Sequence, residues 1–318
     1  RLFQSDTNGF YQAMQEYQRL EDEKKRIIDS HVAELERMKD SAIAELRSTV
    51  VDLTVDATRK LIDANLDELA LAETKDNGKP LWLSKSVDIP RASANFRFFA
   101  TGIMHFASES HNMEDKAVNY TLRQPIGIVG CISPWNLPLY LFTWKIAPAL
   151  ATGNCVIGKP SEMTPMTAYM LSKACIEAGL PEGVLNIIHG FGAKTGQAIV
   201  EHPRIKAISF TGGTETGKKI IATAGPMFKK LSLELGGKNP NIIFADCDFD
   251  EMMMTTLRSS FSNNGQICLC GSRIYVERAI YEKFRDELVK RTQFLKIGDP
   301  FSIRAEIKPG PTRKKSSR

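Results

Sequence analysis

The chain has 318 residues, of which 42% are hydrophobic and 25% are charged, as in an ordinary globular protein. Its net charge of +5 comes from a basic segment over residues 304–318, so the rest of the chain gives no reason to expect a nucleic-acid partner. No apolar run is long enough for a membrane span, and the first residues lack the apolar core of a secretion signal.

The amino-terminal part of the chain has the pattern of one long helix. Residues 10–77 contain neither glycine nor proline, and apolar residues such as Leu35 and Leu46 recur there at steps of three or four. At ~1.5 Å per residue, an unbroken helix of this length exceeds the size of an ordinary domain. We therefore expect the helix to break, or to make a coiled-coil contact with another chain through residues 31–64. Residues 34–62 weakly resemble the stalk helix of the b subunit of F-type ATP synthases.

The pattern changes at the turn residues 76–80, and after Pro125 short apolar runs alternate with helical segments. The apolar runs are residues 126–132, 155–157, 184–188 and 207–210, and the helical segments include residues 163–178 and 195–202. This alternation predicts an α/β fold with a doubly wound, Rossmann-like parallel sheet. In such a sheet, ligands bind to the loops that follow the strands.

The six cysteines are scattered along the chain, which indicates reduced thiols and favours a cytoplasmic protein. Only Cys268 and Cys270 are close in sequence, and a lone pair of this kind is weak support for a metal site. The five histidines share no ligand spacing. We therefore predict no metal site.

Cys268 lies between a glycine-containing turn and an apolar run. A cysteine in this position can be both rigid and accessible, as a nucleophilic thiolate must be, although a buried inert cysteine is the ordinary alternative. Upstream, Glu234 stands in an apolar run before two glycines, where burial would suit it to act as a general base. A glutamate that pairs at a strand end is the alternative. Asn136, between two prolines, could donate to an oxyanion or simply occupy a turn.

These three segments, in this order, resemble the aldehyde dehydrogenase superfamily. Further matching segments are residues 144–150, 153–154, 159–165 and 210–217, and the resemblance covers about residues 66–300. Residues 88–91 and 95–100 are similar to the subgroup that acts on 2-aminomuconic and 2-hydroxymuconic semialdehydes. The resemblance implies NAD(P)-dependent oxidation of an aldehyde, here a semialdehyde, to a carboxylic acid through a thiohemiacetal and a thioester.

The resemblance also implies a role for each matching catalytic residue. Cys268 would attack the aldehyde, and the Asn136 amide with the Cys268 backbone N–H would stabilise the oxyanion. Glu234 would activate the hydrolytic water, with Lys145 as a proton-network partner. The cofactor-binding residues implied are Ile132, Pro134, Trp135, Lys159, Ser161, Glu162, Gly192, Gly196, Phe210, Thr211, Gly212, Gly213 and Leu235.

The resemblance favours NAD over NADP, because Lys159 and Glu162 would meet the adenosine ribose and a carboxylate there would repel a 2′-phosphate. Gly213 stands where the family usually has serine, so we expect weaker cofactor binding. A rival hypothesis is a P-loop nucleotidase, because residues 212–219 nearly match the phosphate-loop motif. Lys219, however, occupies the position of the Ser or Thr that would hold magnesium.

The chain departs from the family at both ends of the resemblance. We expect a helical segment over residues 1–66, a nucleotide-binding domain over 67–236, the first part of the catalytic domain over 237–300 and a disordered basic tail over 301–318. The family's later catalytic segments and its pairing strands would then be missing, so that its homodimers and homotetramers would not form and turnover would be impaired. A non-catalytic fragment or fusion protein that binds a nucleotide or a partner helix is the alternative.

Overall fold

The computed structural model describes residues 7–114 and 116–302, with the side chains of residues 7–11, 13, 39–59 and 61–63 excepted. The chain divides into two compact units between Thr49 and Val50. Most side chains of the predicted coiled-coil contact over residues 31–64, and the predicted basic tail beyond residue 302, lie outside what is described. Both remain predictions.

Helix α1 spans Thr7–Asn77 without interruption, which confirms the helical prediction and excludes the first of its two alternatives, a break in the helix. The described side chains between Met14 and Met38 are almost all exposed, including that of Leu35. Towards the carboxyl end of the helix, Leu69 and Ala70 are fully buried in a hydrophobic core. The last turns of α1 are therefore an integral part of the second unit.

Three helical elements and a hairpin follow α1 before the central sheet begins. Helix α2 spans Leu81–Leu83, a π-helical turn spans Ser84–Asp88, and α3 spans Ile89–Met104. Strands β1 (Ser110–Met113) and β2 (Ala117–Tyr120) form an antiparallel hairpin, and the residues of both strands are exposed.

A five-stranded, entirely parallel sheet forms the centre of the second unit. Its strands are β3 (Ile128–Ile132), β4 (Cys155–Lys159), β5 (Leu185–Ile187), β6 (Ile205–Gly212) and β7 (Lys230–Leu235). The helices between them are α4 (Pro138–Ala151), α5 (Met166–Glu177), α6 (Gln197–Glu201) and α7 (Thr214–Ala224). The spatial order is β5-β4-β3-β6-β7. This order confirms the doubly wound Rossmann-like prediction, with its topological switch point between β3 and β6.

The two faces of the sheet belong to two hydrophobic cores. Val129 and Cys131 of β3 pack with α4 and α5, whereas Ile132 packs with α6 and α7. Because successive residues of a strand face opposite sides, helices cover both faces. Packing on the first face is tight: a Cβ placed on Gly158 would lie 2.6 Å from Cζ of Phe142 in α4.

A charged cluster lies buried where α1 ends. The Lys79 ammonium contacts the Asp88 carboxylate and lies 3.6 Å from Oε1 of Glu73, and all three side chains are buried. The hydroxyls of Thr74 and Ser84 are hydrogen-bonded at 2.9 Å. These contacts join the end of α1 to the π-helical turn.

A smaller sheet follows the central one. Strands β8 (Pro240–Ile243) and β9 (Arg273–Val276) are parallel, and helices α8 (Phe249–Phe261) and α9 (Tyr281–Gln293) pack with them around Ile243, Met253 and Phe284. None of the described helices combines the length and the apolar character needed to cross a membrane.

Candidate active site

The predicted cofactor-binding residues gather at one edge of the central sheet. Ile132 ends β3, Lys159 ends β4, Gly212 ends β6 and Leu235 ends β7. Ile132 is the register partner of both Lys159 and Phe210. Since all these strands are parallel, their carboxyl ends form a single edge, which contains the switch point where doubly wound sheets bind ligands.

One corner of this edge contains the residues expected near the ribose. The buried Lys159 ammonium lies 3.0 Å from Oε2 of Glu162 and donates to the carbonyl of Pro160. Burial alone would raise the pKa of Glu162, but hydrogen bonds from backbone amides, including that of Gly192, and from Lys159 outweigh burial and lower this pKa. A Cβ placed on Gly196 would lie 3.8 Å from Cδ of Lys159. The structure therefore brings together four of the predicted residues, Lys159, Glu162, Gly192 and Gly196, next to the buried Ser161.

A second corner lies at the switch point itself. Gly213 is the N-cap of α7 and provides no side-chain cap, and a Cβ placed there would meet no atom within 4 Å. The hydroxyls of Ser133 and Thr211 are buried without a hydrogen-bond partner among the described residues. A bare helix amino terminus beside unpaired hydroxyls has the chemistry that a pyrophosphate requires. The arrangement thus fits a dinucleotide.

The other residues of the predicted set surround this corner. The ring of Phe210 packs beneath Gly212, where an added Cβ would lie 2.5 Å from Cζ of that ring. Leu235 is the register partner of Gly212 on β7. Pro134 and the exposed Trp135 lie in the loop after β3, two and three residues beyond its end.

The geometry does not support the P-loop hypothesis. Strand β6 continues through Gly212 and α7 begins at Thr214, so only Gly213 separates them. A phosphate loop needs several backbone amides turned towards one point between strand and helix. Lys218, which would have to reach the phosphates, instead forms an exposed ion pair with Glu215 at 2.8 Å.

The loops of Asn136 and Cys268 are hydrogen-bonded to each other. The Asn136 side-chain amide donates to the carbonyl of Gln266 at 2.7 Å, and the Asn263 amide donates to the carbonyl of Asn136 at 2.8 Å. Asn239 in turn donates to the carbonyl of Cys268 at 2.5 Å. Cys268 is exposed, in line with the accessible cysteine that the sequence predicted.

Glu234 departs from the sequence prediction because it is exposed. It lies on β7, an edge strand of the described sheet whose residues alternate between exposed and half-buried, so the apolar neighbours in sequence do not enclose it. Lys145 is buried in α4. Burial lowers the pKa of Lys145, while the nearby Cys131 and Glu234 oppose this change. Lys145 and Glu234 are thus close enough to interact electrostatically, and the proton-network role of Lys145 stays a prediction.

Sequence reasoning missed three asparagines that connect the loops of the site. Asn77, Asn239 and Asn263 each donate to a backbone carbonyl in the loop of Asn136 or of Cys268. The only local signal was the position of each asparagine within two residues of a turn glycine or proline, which many turns share. Among the described residues, no group of three or more His, Cys, Asp and Glu side chains could hold a metal ion.

Comparisons with known proteins agree with this architecture. The model of the aldehyde dehydrogenase family matches residues 16–318, a longer span than the resemblance over residues 66–300. The chain is 52% identical over 255 residues to the 2-aminomuconic semialdehyde dehydrogenase of Danio rerio, covering 80% of this chain and 52% of that protein. It is 46% identical over 253 residues to the 2-hydroxymuconic semialdehyde dehydrogenase of Pseudomonas sp. strain CF600, covering 78% and 52%.

Solved structures show the same relationship. The NAD+ complex of an aldehyde dehydrogenase from Bacillus cereus superimposes with a TM-score of 0.82 at 38% identity, covering 86% of this chain and 55% of that one. The chain spans about half the length of the curated relatives that it matches. The resemblance to the muconic semialdehyde subgroup is confirmed, and this chain belongs to the aldehyde dehydrogenase family.

Proposed function

We propose that this chain contributes the nucleotide-binding site and the nucleophilic thiol for NAD-dependent oxidation of a semialdehyde to a carboxylic acid. The observation that carries the proposal is the direct hydrogen bonding between the Asn136 loop and the Cys268 loop, beside a sheet edge that fits a dinucleotide. The muconic semialdehyde relatives support the substrate class.

In the proposed reaction, the Cys268 thiolate adds to the aldehyde carbon and the carbonyl oxygen becomes an oxyanion. A primary amide has two N–H donors, and the bond to Gln266 uses only one from Asn136. The second N–H of Asn136 and the backbone N–H of Cys268 can stabilise the oxyanion. After oxidation, water attacks the thioester carbon and the thiolate of Cys268 leaves.

Glu234 would accept the proton of the attacking water. Its exposure in this chain allows water to reach it, but provides none of the enclosure that strengthens a general base. The neighbouring Lys145 would stabilise the carboxylate and could exchange protons with it. We therefore expect the 318-residue chain on its own to acylate more readily than it turns over.

A bound NAD would supply the acceptor for the hydride that leaves the substrate carbon. Lys159 and Glu162 would hold the ribose hydroxyls, and the carboxylate would disfavour a 2′-phosphate. Gly213 and the amino terminus of α7 would face the pyrophosphate, without the serine hydroxyl that the family usually provides. Binding would therefore favour NAD over NADP and be weaker than in relatives with serine.

We assign the nucleotide-binding domain to residues 67–236 and the first part of the catalytic domain to residues 237–300. The assignment is supported by the central sheet, which ends with β7, and by the separate core of β8, β9, α8 and α9. Residues 1–66 would then be a helical segment and residues 301–318 a basic tail.

The decisive experiment measures acylation of the purified chain by p-nitrophenyl acetate. We expect a burst of nitrophenolate that Cys268→Ser abolishes. Cys155→Ser is the matched control, because Cys155 is also exposed but lies at the amino end of β4. Titration with NAD and ATP tests the nucleotide site in the same sample. A chain that binds no NAD, or whose Cys268 reacts no faster than Cys155, would favour the non-catalytic alternative.

A further inference from the structure

We propose that Asn263, together with Asn77, is a positioning residue that sets the Asn136 amide for oxyanion stabilisation, an inference that rests on the proposed function. We call Asn77, Asn136 and Asn263 the amide clamp. The clamp joins three separate parts of the chain: the end of α1, the loop after β3 and the turn before Cys268. Neither Asn77 nor Asn263 touches a reacting atom in the proposed reaction.

Two amides hold the backbone of the Asn136 loop. Asn77 donates to the carbonyl of Trp135 at 2.8 Å and lies 3.3 Å from that of Asn136. Asn263 donates to the same Asn136 carbonyl at 2.8 Å. Since this peptide group is held by two amides, its rotation is restricted. The direction of the Asn136 side chain depends on that peptide group.

The side chain of Asn136 extends this hydrogen-bond network to the Cys268 loop, because it donates to the carbonyl of Gln266 at 2.7 Å. Asn263 also lies 3.5 Å from this carbonyl, so one residue contacts both the backbone carbonyl of Asn136 and the carbonyl that accepts from the Asn136 side chain. Gln266 is two residues before Cys268. The donor for the oxyanion and the loop of the nucleophile are therefore held in one hydrogen-bonded unit.

The backbone of Asn263 is adapted to this role. Its φ is 50° and the side chain is almost completely buried, with only 2% of the residue exposed. Asparagine adopts this left-handed conformation more readily than most residues. The side-chain oxygens of Asn77, Asn263 and Gln266 are buried without a partner among the described residues, which costs free energy. A gain in folding stability therefore does not explain why amide side chains stand at these positions. The need to hold the Asn136 side-chain amide in one orientation does explain it.

The test compares two reactions of Cys268 that differ in one respect. Acylation by p-nitrophenyl acetate passes through a tetrahedral oxyanion, whereas alkylation by iodoacetamide displaces iodide and forms no oxyanion. Asn263→Asp keeps the shape of the side chain but removes the donor. Asn263→Gly removes the side chain and accepts the positive φ without strain. Asn186→Asp is the matched control, because the exposed Asn186 of β5 also donates to a backbone carbonyl, that of Gly183, but takes no part in the clamp.

We expect Asn136→Ala to slow acylation by about 100-fold, as loss of an oxyanion donor does. Both Asn263 variants should slow acylation by at least about tenfold, since a misplaced group loses much of its effect. Alkylation should change by less than about twofold in all variants, because the thiol remains accessible and no oxyanion needs Asn136. Asn186→Asp should leave both rates unchanged.

The outcomes separate this proposal from the proposed function. If Asn136→Ala slows acylation but both Asn263 variants do not, the clamp is overturned and the function stands. If the Asn263 variants slow acylation and alkylation equally, their role is structural and the clamp is also overturned. If Asn136→Ala leaves acylation unchanged, Asn136 is not the donor and the clamp is overturned, whereas the proposed function fails only if Cys268→Ser leaves the burst intact or the chain binds no NAD.

Discussion

The buried charged cluster at the end of α1 makes a quantitative prediction about stability and pH. Glu73, Lys79 and Asp88 are all fully buried, so two carboxylates share one ammonium. Burial raises the pKa of Glu73 from 4.5 to about 7; Lys79 opposes this increase and Asp88 adds to it. The folded protein therefore binds the Glu73 proton more tightly than the unfolded chain does.

The sign of the pH dependence follows from this difference. A carboxyl group with a raised pKa contributes stability that is fully present below its unfolded pKa and is lost as the pH rises through its folded pKa. Because one pKa unit corresponds to ~1.4 kcal/mol, a change from 4.5 to about 7 corresponds to about 3 kcal/mol. The free energy of unfolding should therefore fall by that amount, from this group alone, between pH values well below 4.5 and well above 7.

Glu73→Gln removes the titration while keeping the size of the side chain. Urea unfolding of both proteins should be measured across this pH range. As the pH rises, the free energy of unfolding should fall by about 3 kcal/mol less in the variant than in the wild type. The matched control is Glu182→Gln, because Glu182 is exposed and should leave the pH dependence intact. An unchanged pH dependence in Glu73→Gln would refute the reasoning, since it would mean that folding does not shift the pKa of Glu73.

Three further predictions concern the proposed nucleotide-binding edge of the central sheet and the packing of α4 against that sheet. Gly213→Ser restores a hydroxyl at the N-cap of α7, so NAD should bind about fivefold more tightly in calorimetric titration. Glu162→Gln removes the charge beside the Lys159 ammonium, so the affinity for NADP relative to NAD should rise by roughly tenfold. Gly158→Ala places a Cβ 2.6 Å from the ring of Phe142, and urea unfolding should show a loss of ~1–3 kcal/mol.

For each of these three predictions, one result would contradict the reasoning. Equal NAD affinity in Gly213→Ser would mean that no phosphate lies near α7. An unchanged preference in Glu162→Gln would place the adenosine ribose elsewhere. Full stability of Gly158→Ala would show that α4 can move away from the sheet at no cost; Gly102→Ala, where a Cβ meets nothing within 4 Å, is its control.

The central sheet could be predicted because its inner strands have a strong local signal. Buried parallel strands such as β3 and β4 are continuous apolar runs, and each of the predicted runs contains or overlaps an observed strand. Strand β7 was not among the predicted runs, because Ser232 and Glu234 alternate with leucines and half of the strand is exposed. Of the two alternatives given for α1, a break or a coiled-coil contact, the structure does not show the break, which rested on the usual length of helices in single domains and on no local feature of residues 10–77.

The site was predictable to the extent that its motifs are local. Residues such as Lys159 and Glu162 occur in one short segment, so a resemblance could identify them together. The burial expected for Glu234 depended on which strand forms the edge of the sheet, which no local pattern specifies. The hydrogen bond from Asn263 to Asn136 spans 127 positions in the chain, and no periodicity indicates such a contact.

The reversal of strand order between β3 and β6 has a thermodynamic consequence for any nucleotide seated there. Such a ligand would border both hydrophobic layers, because β3 supplies residues to each of them. A bound nucleotide would link the two layers, because neither layer could unfold without losing it. The free energy of binding would therefore add to the free energy of unfolding of both layers. Amide hydrogen exchange should then slow in α4 and α7 in parallel as the nucleotide concentration rises, although the two helices lie on opposite faces.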